Sequence, residues 1–198
     1  MILPIVQYGH PVLRQKGARV EKISAEIRQF IEDLLETMYE ACGVGLASQQ
    51  VARALQITVI DVREATDRPS TMQVDGKSVD VASFMPLVLI NPEVKPVGET
   101  TTGGEGCLSF PEVFADITRP ATVDVTAMDA TGKTFSFRAG GLLARAIQHE
   151  TDHLHGILFI DRMTSDKKRE LQPEIDEIMG QTKNELLRAA RASKPAKR

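Results

Sequence analysis

The segment His149–His153, with the sequence HETDH, constrains this chain more than any other feature. Two histidines four residues apart share one face of an α-helix, one turn apart, so the pattern requires a helix at this point. Two neutral imidazoles in that arrangement can bind one divalent ion, and Glu150 between them can take a proton from a water that the ion activates. By average residue usage, the pattern arises by chance in a chain of this length with a probability on the order of one per cent. The segment therefore predicts a metal-dependent hydrolase.

A catalytic metal site needs a third protein ligand and keeps one position open for water or substrate. His155 follows His153 by two residues, roughly 200° around a helix of about 3.6 residues per turn, so it faces away from the metal. His10 stands alone near the N-terminus, where an ordinary turn or surface histidine is expected. The third histidine that follows HExxH in the extended metalloprotease pattern is absent. A carboxylate or a cysteine is therefore expected to complete the site.

Cys107 is the cysteine that best fits this role. It lies in the segment Glu105–Pro111, directly after a glycine that permits close backbone approach. A lone cysteine is more often a small core residue than a ligand, but the presence of a histidine pair without another suitable partner reverses that balance. The only other cysteine is Cys42, so no disulfide framework is expected and a reducing cytoplasm is the expected compartment.

The spacing of apolar residues predicts helices and strands in an order that defines the fold class. Helical spacing covers Ser24–Ala41, with Ser24 as the expected N-cap, and resumes after Gly141 to end near Gly156. Strands are predicted at Ile57–Val62, Leu87–Ile90, Val123–Met128 and Thr134–Phe137, the last two joined as a hairpin. Because strands come first and one helix is embedded later, the expected class is α+β and not a βαβ repeat.

Length and composition predict one compact domain. The chain has 198 residues, is 42% hydrophobic and 26% charged, and carries a formal net charge of −3, as in an ordinary soluble protein. We expect a catalytic domain over residues 1–165 and a C-terminal helix with a basic tail over residues 166–198. Residues 63–85 are polar and turn-rich, which predicts a long functional loop or a mobile insertion. Neither a signal peptide nor a membrane-spanning segment is expected.

Three segments together resemble the bacterial type of peptide deformylase. They are Gly43–Gln50 (GVGLASQQ), Glu105–Ser109 (EGCLS) and Gln148–His153 (QHETDH), in the order and at the separations of that family. The resemblance extends loosely from the N-terminus to about Met163. It implies an α+β fold in which sheets cradle the HExxH helix. It also implies removal of the N-formyl group from the N-terminal formyl-methionine of nascent polypeptides, with release of formate.

The resemblance also implies a role for each residue of these segments that matches the family. Hydroxide on the metal would attack the formyl carbon, and Glu150 would act as general base and then general acid. The Gln50 side-chain amide and the backbone N–H of Leu108 would stabilise the oxyanion. The implied metal ligands are Cys107, His149 and His153. Iron(II) is the implied metal, with zinc or nickel able to take its place.

The resemblance also implies which residues contact the substrate. Gly45 would present bare backbone to an extended formyl-methionyl peptide, as in strand addition. Val44 and Leu142 would line the methionine pocket, although both positions suit an ordinary core residue equally well. Ser48, Gln49 and the pair Gly103-Gly104 depart from the family pattern, which predicts a more open pocket rim.

The C-terminal part carries a basic excess. From Asp166 onward the sequence is helical in character, and Pro173 is expected to start a new helix or kink one. Between residues 181 and 198 six basic residues stand against Glu185 alone: Lys183, Arg188, Arg191, Lys194, Lys197 and Arg198. Either a solvated helix end or a contact with the ribosome explains this excess, and the resemblance favours the second.

Two other functions share parts of the pattern. A zinc peptidase has the same HExxH helix but requires a downstream histidine or glutamate as the third ligand, where this chain offers Cys107. A catalytically dead relative retained for ribosome binding would not need the intact set of Gln50, Cys107 and the residues of the HExxH helix.

Overall fold

Residues 1–192 are described in the computed structural model, and their strands form one seven-stranded sheet. In chain order the strands are β1 (Gly45–Ala47), β2 (Ile57–Ile60), β3 (Ser70–Val74), β4 (Lys77–Val79), β5 (Leu87–Cys107), β6 (Phe110–Met128) and β7 (Thr134–Gly140). Their order across the sheet is β1-β2-β5-β6-β7-β3-β4, and all neighbouring pairs are antiparallel. The α-helices are α1 (Ala25–Glu40), α2 (Gly141–Leu154), α3 (Ser165–Glu170) and α4 (Gln172–Ala192). The α+β prediction is confirmed.

Helix α1 forms where the apolar spacing predicts it. The Ser24 hydroxyl accepts a hydrogen bond from the Ile27 N–H at 3.2 Å, which caps the first turn. Its inward face buries Phe30, Leu34 and Met38 together with Leu46 and neighbouring apolar residues of the sheet. The helix thereby covers β1 and β2 and holds the edge strand that follows it.

The two central strands are far longer than predicted. Strand β5 runs for 21 residues and β6 for 19, whereas the alternation of apolar residues marked only short parts of each. The second half of β5 is mostly exposed, polar and glycine-rich, so its strand propensity is weak. Its pairing with β6 from Glu93 to Gly106 imposes the extended conformation. Cys107 consequently lies at the very end of β5, at the turn into β6.

Residues 63–85 are not the long loop that the sequence predicts. They contain β3 and β4, joined by Asp75 and Gly76, both with positive φ, in a hairpin. Asp-Gly is a strong signal for such a turn, and the flanking polar residues masked it. Strand β3 also pairs with β7 and buries Met72, so the segment extends the main sheet.

Helix α2 is buried over almost its whole length. All residues from Leu142 to Leu154 are buried. The fold therefore covers the whole helix, and not only the apolar face that an amphipathic pattern would hide. Gly141, with φ of +65°, begins the helix directly after β7. A buried helix fixes its side chains tightly, which suits a site that needs precise geometry.

The C-terminal part packs through only its first turns. Pro173 lies at the second position of α4 and so starts a new helix after α3, one of the two predicted outcomes. Ile175, Ile178 and Thr182 are buried, and the described residues after Thr182 are exposed. Lys194, Lys197 and Arg198 of the predicted basic tail lie outside the described residues. Within residues 1–192, no helix is both long and apolar enough to cross a membrane.

Candidate metal centre and active site

Three potential metal ligands converge between the end of β5 and helix α2. Cys107, His149 and His153 each offer one donor atom, and these atoms lie within 4.8 Å of one another. The Cys107 Sγ lies 3.4 Å from the Nε2 of His153. Both histidines are buried, with 8% and 1% of their surface exposed. The i, i+4 spacing on α2 provides the pair, and the β5–β6 turn supplies the thiol.

The chemistry of the donors fits a divalent transition metal. A thiolate with two imidazoles suits zinc or iron(II). The Nδ1 of His149 contacts the Glu105 carboxylate at 3.0 Å, which leaves its Nε2 free for a metal, the usual arrangement of a ligating histidine. Burial opposes a charge on His149, but hydrogen bonds with Cys107 and Glu105 outweigh it and raise its pKa, so a metal that binds its Nε2 would displace a proton. Burial and the neighbouring His149 lower the pKa of His153, so this imidazole is neutral, as a ligand must be.

Glu150 lies buried beside the three donors. Burial raises the pKa of its carboxyl to about 7, and the charge on His149 offsets part of the effect. Its Oε2 is buried and has no hydrogen-bond partner among the described residues. A carboxyl that titrates near neutral pH can both accept and release a proton, as general acid–base catalysis requires.

Gly45 makes room for the Glu150 carboxylate. A Cβ added at Gly45 would lie 2.6 Å from the Oε1 of Glu150 and 2.9 Å from its Cδ. Such distances do not occur between real side chains, so a larger residue would displace the carboxylate. Gly45 therefore leaves space for the Glu150 carboxylate, in addition to the role predicted from the sequence, which is to present its backbone to the substrate.

Gln50 is held with its amide nitrogen toward the site. It lies in the 3-10 helix Ser48–Val51 directly after β1, and its Oε1 accepts a hydrogen bond from the Ala47 N–H at 2.9 Å. Its Nε2 lies 3.5 Å from the Cys107 Sγ and 3.5 Å from the Ser109 hydroxyl. Because the backbone fixes one end of the amide, the other end is a positioned donor beside the thiol.

A cavity of about 280 Å³ opens directly onto these groups. Leu142 is buried in its wall, whereas Val44 is 37% exposed at its edge. The predicted site residues that line it are Val44, Gly45, Gln50, Cys107, Leu108, Leu142, His149 and Glu150, and His153 joins them through the group of donors. The structure thus brings all the predicted site residues to one place.

The two remaining histidines lie outside this group. The Nδ1 of His10 accepts a hydrogen bond from the Val12 N–H at 3.3 Å and caps a short 3-10 helix. The Nδ1 of His155 donates to the Thr151 carbonyl at 2.8 Å at the end of α2. Neither is among the donors around Cys107, as the spacing predicts.

A buried network of charges supports the site, and sequence reasoning missed it. The Glu105 carboxylate accepts from Arg119 at 2.6 and 2.9 Å and from Arg145 at 2.8 Å, while Arg119 also donates to Asp152 at 2.8 Å. Burial opposes the charge on Glu105, but hydrogen bonds from His149 and Arg119 outweigh it and hold its pKa well below the ordinary value. One signal was present in the sequence: Arg119 continues the inward-facing alternation of Val113, Ala115 and Ile117 in β6.

Comparison with known proteins gives a consistent result. The family model for polypeptide deformylase matches residues 2–169. A peptide deformylase from Opitutus terrae is 39% identical over 198 residues, which cover 99% of this chain and 100% of that protein. The crystal structure of a peptide deformylase from Thermotoga maritima has a TM-score of 0.71 and 35% identity, and the match covers 83% of this chain and 99% of that chain. A peptide deformylase from Synechococcus elongatus, solved in complex with actinonin, has a TM-score of 0.72 and 39% identity, with 91% and 85% covered.

Proposed function

The chain belongs to the polypeptide deformylase family, and from this premise we propose how its residues remove the formyl group of formyl-methionine at the start of nascent polypeptides. The enzyme is an amide hydrolase, and formate and a free N-terminal methionine are the products. The observation that carries the assignment of the site is the convergence of Cys107, His149 and His153 beside the buried carboxyl of Glu150.

Cys107, His149 and His153 would hold one divalent metal. That metal, when bound, supplies a Lewis acid that lowers the pKa of a water and polarises the formyl carbonyl. Glu150 takes the proton of the attacking water and passes it to the leaving amine, so that the methionine leaves as a neutral amine. Its raised pKa supports both steps near neutral pH.

Gln50 and Leu108 are the proposed oxyanion donors. The amide nitrogen of Gln50 is already oriented beside Cys107, and Leu108 follows the thiol in the same turn and lines the cavity. Donors that are fixed before the reaction stabilise the charge that develops on the formyl oxygen, and loss of one typically costs about a hundredfold in rate.

The peptide is proposed to lie along the free edge of β1. Among the strands of residues 1–192, β1 pairs only with β2, so its other edge is available beside the cavity. An extended substrate would add there through backbone hydrogen bonds with Gly45. Its methionine side chain would enter the cavity between Val44 and Leu142, whose apolar surfaces suit a thioether.

Iron(II) is the proposed physiological metal, with zinc or nickel as substitutes. The set of one thiolate and two imidazoles accepts all three, and cellular supply decides among them. Elemental analysis of protein purified without oxygen measures the choice. Full occupancy by zinc in cells supplied with both metals would contradict the proposal for iron.

The cytoplasm and the ribosome are the proposed setting of the reaction. Cys42 and Cys107 are both free, which fits a reducing compartment. Beyond Thr182, helix α4 exposes Lys183, Arg188 and Arg191 against Glu185, a basic excess that favours contact with a polyanion such as ribosomal RNA.

The experiment that tests the function follows formate release from formyl-Met-Ala-Ser by the metal-loaded enzyme. The wild-type protein is expected to release formate without cleaving the peptide bonds, which separates a deformylase from a peptidase. Glu150→Ala is expected to keep the metal and lose at least about a hundredfold in kcat, because the general base is gone. Normal turnover by a metal-bound Glu150→Ala protein would remove Glu150 from its assigned role.

A further inference from the structure

Arg68 reaches over the mouth of the active-site cavity from the segment that extends the sheet. Its side chain is exposed and lines the cavity, and its Nη2 donates a hydrogen bond to the Gly104 carbonyl at 3.2 Å. Gly104 belongs to the part of β5 that pairs with β6 on one side and borders the cavity on the other. The guanidinium therefore lies on the solvent side of the cavity, beside the Gly104 carbonyl.

The backbone that carries Arg68 is fixed relative to the methionine pocket. The next residue, Pro69, accepts a hydrogen bond from the Leu142 N–H at 3.1 Å. The Ser70 hydroxyl accepts one from the Leu143 N–H at 3.1 Å, so both contacts bind the start of β3 to the first turn of α2. Because Leu142 itself lines the cavity, Arg68 has a defined position beside that pocket.

Arg68 differs from the other guanidinium of the cavity in what it binds. Arg145 is buried and donates to Glu105 and to the carbonyls of Thr101 and Ile117, so its donors are occupied. For the Arg68 side chain the Gly104 carbonyl is the one hydrogen-bond acceptor within residues 1–192, and no carboxylate among them forms an ion pair with it. Asp116, which pairs with Gly104 across the ladder, forms none either. Most of the planar fork of Arg68 is free to bind an anion at the mouth.

We propose that Arg68 determines substrate specificity by binding the carboxylate of an aspartate or glutamate in one of the two residues that follow the formyl-methionine. The inference rests on the proposed function, since it requires the methionine side chain in the cavity beside Leu142. An extended chain advances by about 3.3 Å per residue, so these two residues leave through the mouth that Arg68 borders. A guanidinium presents parallel N–H donors that match a carboxylate in geometry and charge.

The test measures kcat/KM of the metal-loaded enzyme on matched peptides with amidated C-termini. The pairs are formyl-Met-Asp-Ala-amide against formyl-Met-Asn-Ala-amide, and formyl-Met-Ala-Asp-amide against formyl-Met-Ala-Asn-amide. Because the site is partly exposed, the wild-type enzyme is expected to favour aspartate over asparagine about three- to fivefold at one of these positions, mainly through KM. Raising the salt from about 0.05 M to about 0.5 M should shrink this preference, since exposed charges are screened.

The variants separate charge recognition from a structural role. Arg68→Gln is expected to abolish the preference while it keeps turnover of the asparagine peptides, and Arg68→Glu should favour lysine at the same position. Arg63→Gln is the matched control, because Arg63 lies in the same segment but pairs with Asp61, and it should keep the wild-type ratio.

Three results would overturn the inference. They are an aspartate-to-asparagine ratio near one at both positions in the wild-type enzyme, a ratio that Arg68→Gln leaves unchanged, and an equal loss on all peptides in that variant. Failure of the proposed function is a separate outcome, because the wild-type enzyme would then release no formate from the asparagine peptides.

Discussion

At the scale of single residues, the catalytic carboxyl and a backbone glycine depend on each other. Gly45 has ordinary negative φ, so an alanine there meets no backbone strain, but its Cβ would collide with the Glu150 carboxylate. Gly45→Ala is expected to displace that carboxylate and lower kcat about a hundredfold, as a shift near 1 Å does in other enzymes. Metal content and formate release measure the effect.

Gly104→Ala is the control for this substitution. Gly104 also borders the cavity, but a Cβ there would meet only the Asp116 carboxylate at 3.9 Å, an ordinary contact. Its turnover should stay within about twofold of wild type. Equal turnover by both variants would mean that the close approach of Gly45 to Glu150 does not constrain catalysis.

The third ligand is the residue on which the assignment of the metal centre depends. Cys107→Ser is expected to weaken metal binding sharply, because a neutral hydroxyl replaces a thiolate and two histidines alone hold a divalent ion poorly. Cys42→Ser should keep full metal content, since Cys42 is exposed just after α1. Metal content after dialysis against a chelator measures both. Full occupancy in Cys107→Ser, with loss in Cys42→Ser, would reverse the ligand assignment.

At the scale of secondary structure, the sequence predicted helices better than the sheet. The spacing on α1 and α2 gave both helices, and the i, i+4 rule placed His149 and His153 together. The polar half of β5 was not predicted as a strand, because its own residues favour strand only weakly and its extended conformation comes from pairing with β6. The residues that support His149 were missed for a related reason: Glu105, Arg119 and Arg145 are distant in sequence and meet only when α2 packs against β5 and β6.

The buried network that joins β5, β6 and α2 has a testable cost. Glu105→Gln removes one partner of a buried set of charges and leaves Arg119 and Arg145 incompletely paired. The free energy of unfolding of metal-free protein is expected to fall by about 3–5 kcal/mol, measured by urea denaturation. Asp124→Asn breaks the exposed pair with Arg138 and should lower the free energy of unfolding far less, because solvent screens an exposed pair. Similar losses in both variants would contradict a special role for the buried network.

The same network predicts the pH dependence of that difference. Glu105 has a pKa below its ordinary value of 4.5, so its charged form is favoured by folding. Its contribution to stability is therefore full above the unfolded pKa and is lost as the pH falls toward the folded pKa. The gap in unfolding free energy between wild type and Glu105→Gln should narrow below about pH 4.5.

At the scale of the whole molecule, α4 divides into a packed and an exposed part at Thr182. Thr182 is buried, and a Cβ added at Gly9 would lie 3.1 Å from the Cβ of Thr182. Thr182 therefore belongs to the contact between α4 and the N-terminal part of the chain. The packing against residues 1–165 therefore continues past the predicted boundary, as far as Thr182. A truncation that tests the basic part should spare this contact.

Truncation after Lys183 removes the exposed end of α4 and the basic residues beyond it. Turnover of short formylated peptides is expected to remain within about twofold of wild type, because the described residues that are removed, 184–192, do not line the cavity. Binding to ribosomes should weaken, and the salt dependence of binding should become shallower, because fewer phosphate contacts release fewer counterions. The full-length double variant Arg188→Gln, Arg191→Gln should bind ribosomes more weakly than wild type and more tightly than the truncated protein. This variant separates the effect of charge from that of helix length. Co-sedimentation with ribosomes at two salt concentrations measures this, and equal binding by all three proteins would exclude the basic end of α4 as the docking element.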